Sequence, residues 1–138
     1  MDFENLKNKK IKDVSELFGN GLICPEELTR FYLQKISSDR RSEEIFTEVY
    51  KKSAQASARE SKKRAKVGLR KGVLDGIPIS VKDLADIKGK LTGGGSSLTN
   101  KEKARNNATF VDNLQSQGVV ILGKTHICLL YTSDAADE

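Results

Sequence analysis

Apolar side chains recur every three or four positions in the first half of the chain, which is the spacing of helices packed against a core. One such stripe runs from Ile11 to Phe18 and stops before Gly19. A second begins after Pro25, a residue suited to the first turn of a helix, and continues to Ile36. The pattern predicts two short helices in these two segments.

A third helical segment is rich in Ala and Ser and ends near Lys66. Its start is ambiguous, because residues 45–49 combine β-branched and aromatic side chains with polar ones. This stretch is compatible with a short strand or with the first turn of the helix.

From Leu74 onward the helical spacing gives way to alternation. Ile77, Ile79 and Val81 alternate with smaller or polar residues up to Lys82, which predicts a strand that ends in a charged residue.

A helix around residues 110–114 then stops at Gly118, and the apolar run Val119–Leu122 predicts a buried strand. Strand, helix and strand in this order predict a parallel pair covered on both faces. The predicted fold class is α/β, with N-terminal helices followed by the start of a mixed, partly parallel sheet flanked by helices.

Composition narrows the range of functions. The formal net charge is +5, which raises the question of a nucleic-acid partner. However, the densest basic run, residues 62–71, falls at the end of a predicted helix, where cations are favourable, and the chain has no Trp with which to stack bases. The lack of a long apolar run or secretion signal predicts a cytoplasmic protein with no membrane contact. Two cysteines, Cys24 and Cys128, are too few for a zinc site or a disulfide framework.

The last eleven residues, 128–138, differ in character from the rest. They read CLLYTSDAADE, an acidic stretch without lysine, and back-translate to a DNA sequence that resembles a sequencing-library adapter. We therefore expect residues 1–127 to be the native N-terminal part of one domain and residues 128–138 to be a non-native tail.

Two glycine-containing motifs suggest chemistry that their context does not support. Gly118–Thr125 formally matches the phosphate-binding loop G-x-x-x-x-G-K-T, but its middle residues form the predicted strand itself instead of a loop between strand and helix. The run Gly93–Ser97 suggests a nucleophile turn, but the chain's one histidine, His126, lies far along the sequence. We expect a flexible loop there.

Four segments in order resemble the amidase-signature family. They are LDGIPISVKD at residues 74–83, TGG at residues 92–94, AT at residues 108–109 and GVVILGKTH at residues 118–126. The CPEEL segment that begins the second helix is compatible with the same family. The resemblance extends over nearly all of residues 1–127 and implies an incomplete amidase-signature fold.

The resemblance implies a serine amidohydrolase with a Ser-Ser-Lys triad acting on a small-molecule amide, without a cofactor or a metal. Lys82 matches the family's catalytic lysine, which in uncharged form accepts a proton from one serine so that a second serine becomes nucleophilic. Burial beside an apolar strand favours the uncharged amine that this role needs. Asp83 is expected to be a structural partner. Both serines of the family belong to a segment beyond residue 127, so the fragment is expected to be inactive, and Ser96 and Ser97 are not substitutes for them.

Two other functions remain open. The amidase-type subunit of a glutamine-dependent tRNA amidotransferase belongs to the same family, although Leu84 stands where such proteins usually carry Asn. A basic helical module that binds RNA or a protein partner is the other alternative.

Overall fold

The computed structural model describes residues 3–95 and 102–127. A 3₁₀ helix at Phe3–Asn8 precedes the regular helices. The α-helices are α1 (Ile11–Gly19), α2 (Pro25–Ser38), α3 (Ser42–Ile45), α4 (Lys51–Lys66) and α5 (Thr109–Ser116), and the strands are β1 (Phe46–Val49), β2 (Pro78–Lys82) and β3 (Val120–Thr125).

The strands of the described residues form one sheet in the order β1-β3-β2. β2 and β3 are parallel, with Lys82 opposite Thr125, and α5 lies between them in sequence. This confirms the predicted parallel pair and the α/β class. β1 pairs antiparallel with the other side of β3, so the sheet is mixed.

The ambiguous segment before the third helix is a strand. Phe46–Val49 pairs with β3, and α4 begins only at Lys51. Tertiary pairing decides this case, because a four-residue segment with mixed propensities takes the conformation that a neighbouring strand stabilises.

Both faces of the sheet carry apolar side chains. The first cluster joins the sheet to α5 and to the loop after β2, and its buried members are Tyr50, Val81, Ala85, Ile87, Val111, Val119 and Ile121. The second joins β3 to α2 and α4, and its buried members are Leu33, Ala54, Ala58, Val120 and Leu122. The alanines of α4 allow this helix to approach the sheet closely. Because β3 contributes to both clusters, it is the central element of the core.

Gly123 lies where the backbones of β1 and β3 approach each other. It pairs with Val49, and a Cβ atom at this position would overlap the carbonyl oxygen of Glu48 and lie 3.1 Å from Cα of Val49. Because these are backbone atoms, β1 would have to move. We expect Gly123→Ala to lower the free energy of unfolding by about 2–3 kcal/mol, measured by urea unfolding followed by circular dichroism.

Gly19, at the end of α1, provides the matched control. A Cβ atom there has its nearest neighbour at 3.8 Å, on the Arg70 side chain, which is an ordinary contact. Gly19→Ala should leave stability unchanged or raise it by up to about 1 kcal/mol. Equal stabilities of the two variants would contradict the proposed clash at Gly123.

Candidate active site

Lys82 is the last residue of β2 and lies at the carboxyl end of the parallel pair. Its side chain is exposed, so the expectation of a buried amine is wrong for the described part of the chain. The reason is geometric. Side chains alternate along a strand, and here Val81 and Asp83 are buried while Lys82 points away from them. In addition, β2 is an edge strand among the described residues.

Asp83 is buried and holds the loop that follows β2. Its carboxylate accepts the amide of Gly93 at 3.1 Å, and its carbonyl oxygen accepts the amide of Gly94 at 2.8 Å. Its own amide donates to the carbonyl oxygen of Thr125 at 2.9 Å, which extends the ladder between β2 and β3. These contacts are those of the structural partner predicted from the sequence.

Lys124 is the charged residue of this region that sequence reasoning missed. Its side chain is 1% exposed, and its Nζ atom lies 3.5 Å from Oδ1 of Asp83. The same ammonium donates to the carbonyl oxygen of Leu91 at 2.6 Å and to Oγ1 of Thr92 at 2.9 Å. Lysine is seldom fully buried without a partner, so its position within the apolar run of β3 was the available signal.

Tyr50 lies close to the same charges. Its side chain is 4% exposed, and no hydrogen-bond partner for its hydroxyl is found among the described residues. Burial raises the pKa of this phenol well above its ordinary value, and the negative charges of Glu48 and Asp83 raise it further. The Lys90 ammonium lies 4.3 Å from the centroid of the Tyr50 ring. Tyr50 is therefore held in its neutral form.

A cavity of about 410 Å³ opens on the side of the sheet end that Asp83 faces. Glu48, Asp83, Leu91 and Gly93 are among the residues that line it, and Lys82 is not. The two neighbours in sequence, Lys82 and Asp83, thus serve different sides of the same strand end.

The other motifs considered from the sequence have structural explanations or lie outside the described residues. Val120–Thr125 is a strand that follows α5, and Lys124 points into the protein, which confirms that Gly118–Thr125 is not a phosphate-binding loop. Ser96 and Ser97 lie outside the described residues. His126 contacts the N-terminal half of the fold, with Nε2 lying 3.0 Å from the carbonyl oxygen of Glu43.

The basic run at the end of α4 is largely paired. Lys62 contacts Glu26 at 2.7 Å, and Lys63 contacts Glu60 at 2.7 Å. The third pair, Arg64 with Asp75, is the most buried of them, because Asp75 is 0% exposed. This internal pairing weakens the case for a basic surface that binds RNA.

Neither a metal site nor a membrane span is found in residues 3–95 and 102–127. No group of three or more His, Cys, Asp or Glu residues with suitable geometry occurs there. Within the same ranges, no helix has both the length and the apolar character needed to cross a bilayer.

Residues 27–136 match the model of the Amidase family. This range includes most of the chain, and the chain therefore belongs to this family. It is 35% identical over 117 residues to the amidase-type subunit of the mitochondrial Glutamyl-tRNA(Gln) amidotransferase from Ornithorhynchus anatinus, an alignment that covers 85% of this chain and 22% of that protein. The Homo sapiens protein of the same name is 35% identical over 119 residues, with 86% of this chain and 22% of that protein covered.

Solved structures agree with the assignment. The native peptide amidase from Stenotrophomonas maltophilia superposes with a TM-score of 0.79 at 27% identity, covering 90% of this chain and 26% of that one. A structure named fatty acid amide hydrolase has the same fold, with a TM-score of 0.79 at 18% identity, covering 89% of this chain and 22% of that one. The chain spans about a quarter of the length of these relatives.

Proposed function

We propose that this chain supplies the catalytic base, Lys82, of a serine amidohydrolase with a Ser-Ser-Lys triad. The observation that carries the proposal is the position of Lys82. In a chain of the Amidase family, a lysine ends a parallel strand, and its side chain points away from the packed core. The carboxyl ends of parallel strands are where α/β folds bind their ligands.

The reaction assigns one proton transfer to this lysine. The uncharged Lys82 amine takes a proton from a serine hydroxyl, and that serine takes the proton of a second serine, whose oxygen attacks the amide carbonyl carbon. The carbon–nitrogen bond breaks, the leaving nitrogen receives a proton, and water then releases the acyl group from the second serine. An amine is uncharged near neutral pH only when its charged form is disfavoured, so the proposal requires further protein to cover Lys82.

Both serines are proposed to lie outside this chain. The purified 138-residue chain should therefore hydrolyse none of a panel of aliphatic and aromatic amides, and a fluorophosphonate probe should not label it. Mass spectrometry of the probe-treated chain checks this, with the Stenotrophomonas maltophilia peptide amidase as the reactive control. Covalent labelling at Ser96 or Ser97 would defeat the proposal that the nucleophile lies elsewhere.

We also propose that residues 128–138 are a non-native tail. Amplifying genomic DNA across codon 127 tests this, since the adapter-like codons should be absent and the frame should continue into a Gly/Ser-rich segment with two serines. The protein encoded by that longer frame, called the intact-locus protein below, should hydrolyse simple amides. A genomic frame that ends at codon 138 would contradict both proposals.

Membership of a tRNA amidotransferase is the second candidate function. It is favoured by the curated relatives at about 35% identity, whose name is that of such an enzyme. Leu84, exposed beside Lys82, stands where those relatives usually have Asn and favours the amidohydrolase. The two functions differ in what the intact-locus protein needs. An amidohydrolase cleaves simple amides alone, whereas an amidotransferase component hydrolyses glutamine in company with partner proteins and charged tRNA.

A further inference from the structure

The buried ammonium of Lys124 requires an explanation, because a charged amine removed from water is costly unless it is paired. It has three partners within 3.5 Å: the Asp83 carboxylate, the Leu91 carbonyl oxygen and the Thr92 hydroxyl. These partners come from two separate places in the chain, the end of β2 and the loop before residue 95. Lys124 therefore ties that loop to the strand end that carries Lys82.

The contact with Asp83 also determines where Lys82 points. Val81 is the register partner of Lys124, and Asp83 lies two residues further on, so both belong to the face of Lys124. Residues that are adjacent in a strand point to opposite faces. While the Asp83 carboxylate stays with the Lys124 ammonium, Lys82 is directed to the other face.

The loop is drawn onto the same pair of charges. Gly93 donates its amide to the Asp83 carboxylate, and a Cβ atom on Gly93 would lie 2.5 Å from Oδ2 of Asp83. Thr92 accepts a hydrogen bond from Lys124 and donates its hydroxyl to Asp86 at 2.8 Å. The absence of a side chain on Gly93 is what allows the loop to come this close.

We infer that Lys124 is a positioning residue for Lys82: through its contact with Asp83 it fixes the direction of the Lys82 side chain and the negative charge beside it. This inference rests on the proposed role of Lys82 as the base. The other acidic groups near Lys124 are Glu48, its register partner on β1, and Asp86 beyond Thr92. Both are unchanged in the variants used below.

The test follows the reactivity of the Lys82 amine in the 138-residue chain. An acylating reagent is applied at a series of pH values, and modification at Lys82 is quantified by mass spectrometry. Lys124→Met leaves the Asp83 carboxylate uncompensated, which favours the ammonium form of Lys82. The pH midpoint of its acylation should therefore rise by about half a unit or more, and the rate below the midpoint should fall about threefold.

Asp83→Asn has the opposite sign. It removes the carboxylate and leaves the Lys124 ammonium in place, so the midpoint for Lys82 should fall by about half a unit. Asparagine has nearly the shape of aspartate, so this variant decides the question if Lys124→Met does not fold. Lys88→Met, a change at an exposed lysine of the loop after β2, should leave the midpoint unchanged.

A second measurement separates positioning from general stabilisation. Amide hydrogen exchange at Gly93 and Gly94 should accelerate about tenfold or more in Lys124→Met, because the loop loses its anchor. Faster exchange with an unchanged Lys82 midpoint would show a purely structural lysine and overturn the inference, as would shifts of the same sign in both variants. Neither measurement depends on amide hydrolysis, so failure of the proposed function and failure of this inference are seen in different experiments.

Discussion

Lys82→Met in the intact-locus protein should lower kcat for amide hydrolysis by about 10³-fold or more, with a much smaller change in KM. Methionine has nearly the length of lysine but offers no nitrogen to accept the serine proton, and general-base catalysis typically contributes about 10²–10⁴-fold. Because the proton transfer starts the relay to the nucleophile, acyl-enzyme formation should be lost as well. Steady-state kinetics and fluorophosphonate labelling measure the two effects.

Two further variants define the cause of that loss. Lys82→Arg keeps the positive charge but cannot be deprotonated in a protein, so it should be as inactive as Lys82→Met if the amine acts as a base. Lys88→Met removes an exposed lysine from the neighbouring loop and should leave kcat unchanged. Retention of more than about a tenth of the activity in Lys82→Met would assign Lys82 to structure or substrate binding.

Local sequence patterns predicted the elements that form the sheet end. The alternation that ends at Lys82 and the apolar run Val119–Leu122 correspond to β2 and β3, and their parallel pairing follows from the intervening helix. These predictions succeeded because strand periodicity and the order of elements are local properties of the chain. The antiparallel addition of β1 depends on contacts with residues about 75 positions away and was not predictable from its four residues.

The candidate site was predicted only in part. The motif identified Lys82 and its place at the end of β2, but its burial depends on what covers an edge strand, which local sequence does not specify. Lys124 was set aside together with the false phosphate loop. A basic residue within an apolar strand is informative only when its partners are known, and Leu91 and Thr92 lie more than 30 positions away in sequence.

The buried pair of Arg64 and Asp75 shows the same limit. In the sequence, Arg64 belongs to a basic run that fits a solvated helix end, and Asp75 precedes a glycine as many turn residues do. In the fold, Arg64 donates to the Asp75 carboxylate through Nε at 2.9 Å and Nη2 at 2.7 Å. The amide of Lys71 adds a third bond at 2.9 Å. This carboxylate joins the end of α4 to the segment that leads into β2.

Asp75→Asn should lower the free energy of unfolding by about 3–5 kcal/mol, because it leaves the Arg64 guanidinium largely buried without its counter-charge. An asparagine amide retains one acceptor and directs an NH₂ group toward the other donor. The loss is comparable to the whole stability of a small domain. We therefore expect the variant to lack a cooperative urea transition in circular dichroism. Glu60→Gln, in the exposed pair with Lys63 on the same helix, should have little effect.

The pH dependence of stability gives an independent check on the same carboxylate. Burial alone would raise the pKa of Asp75, but the hydrogen bonds from Arg64 and the Lys71 amide, with the charge of Arg64, outweigh it and hold this pKa below its ordinary value. Such a group stabilises the fold fully above the pKa of aspartate in the unfolded chain, about 3.9, and loses that contribution as the pH falls through the lower folded-state value. The wild-type chain should therefore lose stability below about pH 4, and Asp75→Asn should show a shallower decline there. A decline as steep in the variant as in the wild type would mean that other carboxylates govern acid unfolding and that the Arg64–Asp75 pair contributes little.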